Sequence, residues 1–243
     1  MEVINYNDID FDKLNKLDIK SRESDIYIDN DKKSIYKIFK EDLDVYELSL
    51  KFEKLSLLEK KKNLNNIVIP TAKIVTQSFV GIKEDYIEGF DLSDAKVNLN
   101  DEEIMEVLLK VSTDLEQMHK NNIIMSDLNF GNIRLDMQRN HYFLDALSYS
   151  IDKIPSNAYP YLLVEYLRRY KKKPSSTKNN DKISFIMFTI QLLIDKYFYD
   201  IEACDFDKKA EQIKDLELLR EVYEDLRNYY VKDVPYLHEL IRG

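Results

Sequence analysis

Glycine is scarce in this sequence: Gly81, Gly89, Gly131 and Gly243 are the only four in 243 residues. Average usage of roughly 7% would supply about seventeen. The deficit argues against folds that depend on many tight turns. Neither G-x-G-x-x-G nor the P-loop pattern can be written anywhere in the chain. Cysteine is nearly absent too. Cys204 alone cannot close an intrachain disulfide, and three scattered histidines (His119, His141, His238) offer no zinc-ligand cluster. A reducing cytoplasm is the expected compartment. Tryptophan is missing, and Met1–Asp10 is acidic and polar, unlike a signal peptide. The longest apolar run, Ile183–Ile194, is interrupted by Ser184, Thr189 and Gln191. It is too short to span a bilayer and reads as a buried helix. With 36 basic against 45 acidic side chains, the net charge of −9 disfavours a broad nucleic-acid footprint. Basic patches at Lys60–Lys62 and Arg168–Lys173 read as solvated helix faces. Neither a nucleic-acid nor a membrane partner is expected.

What remains is ample. Hydrophobic residues make up 44% of the chain, with 17 tyrosines and 11 phenylalanines as core material. That is enough for one large domain or two small lobes. Asp25–Asp29 alternates and is rich in β formers, Asn30–Lys33 is a turn cluster, and Ser34–Lys40 is again β-rich, which predicts a hairpin. Leu43, Tyr46, Leu50, Leu55 and Leu58 then recur at mainly helical spacing, and Ile67–Val75 and Ser78–Ile87 follow as two further strands. After Gly89 the pattern turns helical. Ile104, Val107, Leu108, Val111, Leu115 and Met118 form one apolar stripe; short apolar runs at Ile123–Met125 and Ile133–Leu135 precede a turn at Gln138–Asn140. Helices are expected near 160–171 and 181–196, followed by a charged helical tail that completes the same lobe. The expected fold class is α+β: a small antiparallel sheet with one helix over residues 1–88, joined to a larger, mainly helical lobe over 89–243.

The segment Met125-Ser126-Asp127-Leu128-Asn129-Phe130-Gly131-Asn132 carries the most chemistry. Asp127 and Asn132 sit five apart on a loop between two apolar runs, and Asp145 follows the next short strand. Oxygen donors at neighbouring strand ends suit Mg²⁺, which binds through one or two protein oxygens plus substrate phosphates. The remaining Asp is then available to orient a hydroxyl nucleophile.

Asp127-Leu128-x-x-x-Asn132 resembles the catalytic loop of the protein-kinase-like superfamily, and Leu144-Asp145-Ala146 stands where its Asp-Phe-Gly would be. Ile35-Tyr36-Lys37-Ile38 resembles the strand with the phosphate-gripping lysine, and Glu53 resembles that lysine's acidic partner. Lys83–Leu92 looks like the hinge, with Asp85 and Ile87 as its nucleotide contacts. Asp181 resembles the buried Asp that supports the catalytic loop from below. The similarity runs in order over about residues 15–196. It implies a bilobal ATP- and Mg²⁺-dependent phosphotransferase. In it Lys37 contacts the α/β-phosphates and pairs with Glu53, Asp127 orients the acceptor hydroxyl, and Asn132 and Asp145 hold Mg²⁺.

Several residues depart from the family pattern. The nucleotide-covering turn, Ile19–Tyr27, has Ser21 and Ser24 roughly where glycines would be. Met125-Ser126 replaces His-Arg, so activity independent of phosphorylation in the 146–180 segment is expected. Asn129, within the catalytic set, replaces a lysine. Asp145 is followed by Ala-Leu, and no Ala-Pro-Glu is evident. The first reading is a serine/threonine protein kinase, and the excess of lysine over arginine suggests bacterial or phage origin. The alternatives are a small-molecule kinase like the aminoglycoside or choline kinases, which fits Asn129 and the absent activation-loop signals, or a pseudokinase binding module. The acceptor is accordingly a protein or small-molecule hydroxyl.

Overall fold

A computed structural model describes residues 1–242 apart from 19, 20, 22, 62, 63, 65, 211, 214 and 215. The chain is mixed α+β and divides into two compact units. The first comprises Met1–Glu88 together with Leu144–Leu147; the second comprises Gly89–Phe143 and Ser148–Gly243.

The first unit is built on β1 (Glu2–Asn5), β2 (Asn15–Lys16), β3 (Ser24–Asp29), β4 (Ser34–Phe39), helix α1 (Val45–Leu58), β5 (Ala72–Val75) and β6 (Phe79–Asp85). Its six strands lie in the order β1-β5-β6-β4-β3-β2. The β3–β4 hairpin follows the alternation and turn chemistry of residues 25–40. The expectation of a purely antiparallel sheet needs correction, because β1 pairs parallel with β5, Glu2 opposite Ala72 through Asn5 opposite Val75. Only Ile4 of that strand is half-buried, so its pattern gives almost no hydrophobic signal. Asp44 starts α1 by accepting the Tyr46 N–H at 2.7 Å. Leu55 of α1, Ile82 of β6 and Leu147 form a buried cluster, with Phe39, Ile69 and Phe79 packed against it.

The second unit contains β7 (Gly89–Asp91), α2 (Ala95–Asn98), α3 (Asp101–Lys120), β8 (Ile123–Ile124), β9 (Ile133–Asp136), β10 (His141–Phe143) and β11 (Ser150–Ile151). Helices α4 (Tyr161–Arg169), α5 (Lys178–Ile194), α6 (Ala203–Lys209), α7 (Leu216–Asn228) and α8 (Leu237–Arg242) follow. A capping box opens α3, with Asn100 and Glu103 exchanging hydrogen bonds of 3.0 Å each. The predicted stripe from Ile104 to Met118 is buried, and α3 packs on α5 and α8. Thr177 caps α5 by accepting the Asn180 N–H at 3.1 Å. Ile183, Phe185, Ile186, Met187, Ile190 and Leu193 bury this helix on nearly every side, as its polar-poor sequence requires. Among the described residues the charged tail forms three α-helices, and α7 turns Leu216, Leu219, Tyr223 and Leu226 inward.

Short strands place the loops. β7, β9 and β10 form an antiparallel sheet in the order β10-β9-β7, and β11 pairs with β8. Gly89 sits at φ 152°, where an added Cβ would lie 1.8 Å from the Leu135 carbonyl oxygen, so the contact between β7 and β9 requires glycine. Among the described residues, no helix is long and apolar enough to cross a membrane.

Candidate functional site

In the first unit the chemistry gathers around Lys37. On β4 it lies opposite Ile82 of β6, while Glu84 lies opposite Ile35, so Lys37 and Glu84 are diagonal neighbours on adjacent strands. The Lys37 ammonium is 2.8 Å from Glu84 Oε2 and 3.4 Å from Asp145 Oδ1. Burial alone would discharge this lysine; attraction from Glu84 and then Asp145 outweighs it and holds the ammonium above the ordinary lysine range. Burial also pushes the Glu84 carboxyl up, against the pull of Lys37. The two shifts pull in opposite senses for one ion pair; the 2.8 Å contact and the second carboxylate, Asp145, favour the charged lysine. Glu84 Oε1 is buried and has no hydrogen-bond partner among the described residues. Asp145 itself adopts φ 59°, a left-handed conformation uncommon for a non-glycine residue.

The pairing of Lys37 with Glu53 is corrected by this geometry. Glu53 is exposed, whereas α1 turns Lys51, Lys54, Leu55 and Leu58 inward. Those four follow the i, i+3, i+4, i+7 rule, and Glu53 falls two residues, about 200°, away from Lys51. The helix therefore presents lysines where an acid was expected. Lys51 is 2.7 Å from Glu23 Oε2, and Lys54 donates to the Leu147 carbonyl at 3.3 Å.

The turn preceding β3 is closed by serine. Ser21 Oγ accepts the N–H groups of Glu23 and Ser24, each at 3.3 Å, and Lys40 donates to the Ser21 carbonyl at 2.6 Å. Ile19, Lys20 and Arg22 of this turn lie outside the described residues. Asp85 ends β6 in an exposed position, and Ile87 follows it half-buried.

The second unit holds the Asp127 loop. Asp127 N–H reaches back to the Met125 carbonyl at 2.7 Å, a three-residue turn centred on Ser126 at φ 64°. This costly conformation is held from beneath. Asp181, 1% exposed in the first turn of α5, accepts the Met125 N–H at 2.7 Å and the Ser126 N–H at 2.9 Å. Asp181 thus occupies the supporting position anticipated for it. The sequence did not disclose the next link. His119 Nε2 lies 3.0 Å from Asp181 Oδ2 and donates to it, since a carboxylate only accepts, and its Nδ1 shares a 2.7 Å hydrogen bond with the Tyr236 hydroxyl. A lone histidine near a helix end gives no sign of partners 62 and 117 residues away.

Asn132 Nδ2 donates to the Asp127 carbonyl at 2.9 Å and approaches Asp127 Oδ2 at 3.4 Å. Turning Nδ2 toward Asp127 directs Oδ1 to the other side. Asn129 accepts the Gly131 N–H at 3.0 Å and donates to the Asp127 carbonyl at 3.2 Å, so it shapes the loop. Beside this loop, Asn129, Phe130, Gly131, Phe188, Gln191 and Tyr197 line a cleft of about 560 Å³ within the second unit.

Among the described residues, no group of three or more His, Cys, Asp or Glu side chains converges as a metal centre. A magnesium ion carried by a phosphate ligand needs less, one or two protein oxygens with water completing the shell. Asp145, with a side chain 41% exposed, offers a carboxylate in the first unit, and Asn132 offers an amide oxygen in the second. Each is a hard oxygen donor of the kind that Mg²⁺ takes beside phosphate and water. Compared with protein-family models and with curated proteins, the chain matches none.

Proposed function

We propose that the chain is an ATP- and Mg²⁺-dependent phosphotransferase with a protein-kinase-like fold. The observation that carries this reading is the approach of Lys37 to Asp145, which brings a fixed cation and an accessible carboxylate from 108 residues apart to 3.4 Å. Phosphoryl transfer asks the protein for positioned charge and an oriented nucleophile more than for covalent help. Lys37, held charged by its carboxylates, binds the α- and β-phosphates. Asp145 in the first unit and Asn132 in the second are the oxygen donors that would serve Mg²⁺, which when bound would offset the charge of the phosphate oxygens. Asp127, steadied by Asn132 and by the Asp181-supported turn, accepts a hydrogen bond from the acceptor hydroxyl. The hydroxyl oxygen forms its bond to the γ-phosphorus as the bond to the ADP oxygen breaks, and the hydroxyl proton leaves by way of Asp127.

The acceptor in the first reading is a protein serine or threonine. A second reading, a small-molecule hydroxyl, is favoured by the cleft beside Asn129 and Gly131, whose volume suits a compact polar ligand. Protein incubated with Mg·ATP should transfer labelled phosphate, and Asp127→Ala and Asp145→Ala should each abolish transfer. A wild-type protein that neither binds nor turns over ATP would sink the proposal. Offering cell-lysate protein and a metabolite extract as parallel acceptors separates the readings. Label confined to the small-molecule fraction rejects the protein kinase.

A further inference from the structure

The sequence puts no glycine in the turn before β3, and the first unit offers another source of positive charge. α1 turns two lysines inward. Lys51 is 8% exposed and Lys54 5%, values that lysine reaches only with strong partners. Glu84 and Asp145 are both engaged with Lys37. Among the described residues, that leaves Glu23 as the one carboxylate in contact with either α1 lysine. Lys54 has, among the described residues, a single acceptor, the Leu147 carbonyl at 3.3 Å, for an ammonium with three donors. Asp145 also attracts Lys54, so charge is matched by three carboxylates against three lysines, but among the described residues Lys51 and Lys54 make one hydrogen bond each and leave most of their donors unused. Lys37 and Phe39 share a face of β4, and Lys51 lies 5.8 Å from the centre of the Phe39 ring, so all three lysines belong to one neighbourhood.

In its pair with Lys51, Glu23 is the exposed partner. Its side chain is 45% exposed while that of Lys51 is 10% exposed, so the acid approaches the cation from the open side. A phosphate oxygen has the same acceptor chemistry and more charge. We infer that Lys51 and Lys54, beside Lys37, form a cradle for the phosphate chain of the ligand, and that Glu23 is a displaceable internal stand-in for it. This rests on the phosphotransferase reading for the identity of the ligand. The turn then contributes a carboxylate that yields to phosphate in place of glycine N–H groups that bind it.

Calorimetric titration of the full chain with Mg·ATP, and separately with inorganic tripolyphosphate, tests the cradle. Lys51→Met and Lys54→Met should each weaken both ligands by about tenfold or more. Glu23→Gln, which keeps shape and removes charge, should tighten both about threefold or more. Lys13→Met, which deletes an exposed cation of the same unit, serves as the charge control and should change neither. Wild-type affinity in Lys51→Met and Lys54→Met overturns the inference, as does unchanged or weaker binding in Glu23→Gln. Lysine-dependent binding of tripolyphosphate without binding of Mg·ATP supports the cradle and rejects the nucleotide reading. Binding of neither rejects both.

Discussion

Burial pulls the Lys54 ammonium from its ordinary value of 10.5 down to about 8, with repulsion from Lys51 adding to the effect and Glu23 and Asp145 opposing it. The consequence for stability has a definite sign. The unfolded chain holds this proton more tightly than the folded one, so stability rises with pH wherever the two states differ in protonation. Below about pH 8 both states are charged and the fold bears the full penalty, about 3 kcal/mol. Between about pH 8 and 10.5 the folded lysine discharges first and the penalty fades. Lys54→Met should therefore be more stable than wild type near pH 7, with the difference shrinking as pH approaches 10. Urea midpoints at pH 7, 8, 9 and 10 measure this, and a difference independent of pH would refute it. If Lys54 also serves the proposed cradle, its cost to the fold is a functional compromise of the usual kind.

At the scale of elements, the loop bearing Asp127 is only as well placed as the helix beneath it. α5 is buried on nearly all sides, so Asp181 cannot move to relieve strain, and its two oxygens meet three donors, from Met125, Ser126 and His119. Asp181→Asn keeps the volume but presents an amide N–H₂ to groups that are themselves donors. The expected loss is about 3 kcal/mol or more, read from denaturant unfolding. Faster amide exchange at Met125 and Ser126 and loss of phosphate transfer should accompany it. A variant as stable and active as wild type would show that the turn holds itself.

This support was legible only through the resemblance, which put Asp181, at the opening of an apolar helix, beneath the loop. α3 was legible directly, its stripe being long and regular. The inward face of α1 was equally present in the spacing of Lys51, Lys54, Leu55 and Leu58, but an acid at a family-like position drew attention to Glu53. Glu84 shows a different limit. It ends an alternating row after Val80 and Ile82, yet its pairing with Lys37 depends on the register of β4 against β6, which no single strand encodes. β1 escaped notice because two apolar residues in a polar stretch, mostly exposed on a sheet edge, leave no periodic trace.

For the molecule as a whole, the division after Glu88 separates two kinds of chemistry. Lys37, Lys51, Lys54 and, through the Leu144–Leu147 segment, Asp145 belong to the first unit, while Asp127, Asn132 and Asp181 belong to the second. On the proposed function, the residues that would bind the phosphate chain and the residue that would orient the acceptor are distinct, and their effects should come apart in variants. Mg·ATP at a hundred times its dissociation constant stabilises a protein that binds it only when folded by about 2.7 kcal/mol. For a chain of this size that is a rise of about 5–10 °C in Tm. Asp127→Asn should retain the full rise while losing phosphate transfer, because it removes a group that acts on the acceptor. Lys37→Met should lose both, because it removes a contact to the nucleotide itself. Thermal unfolding with and without Mg·ATP, read beside transfer of labelled phosphate, compares the two. If Asp127→Asn abolished the thermal shift as completely as Lys37→Met, binding and catalysis would not be divided in this way, and the roles assigned to Lys37 and Asp127 would have to be redrawn.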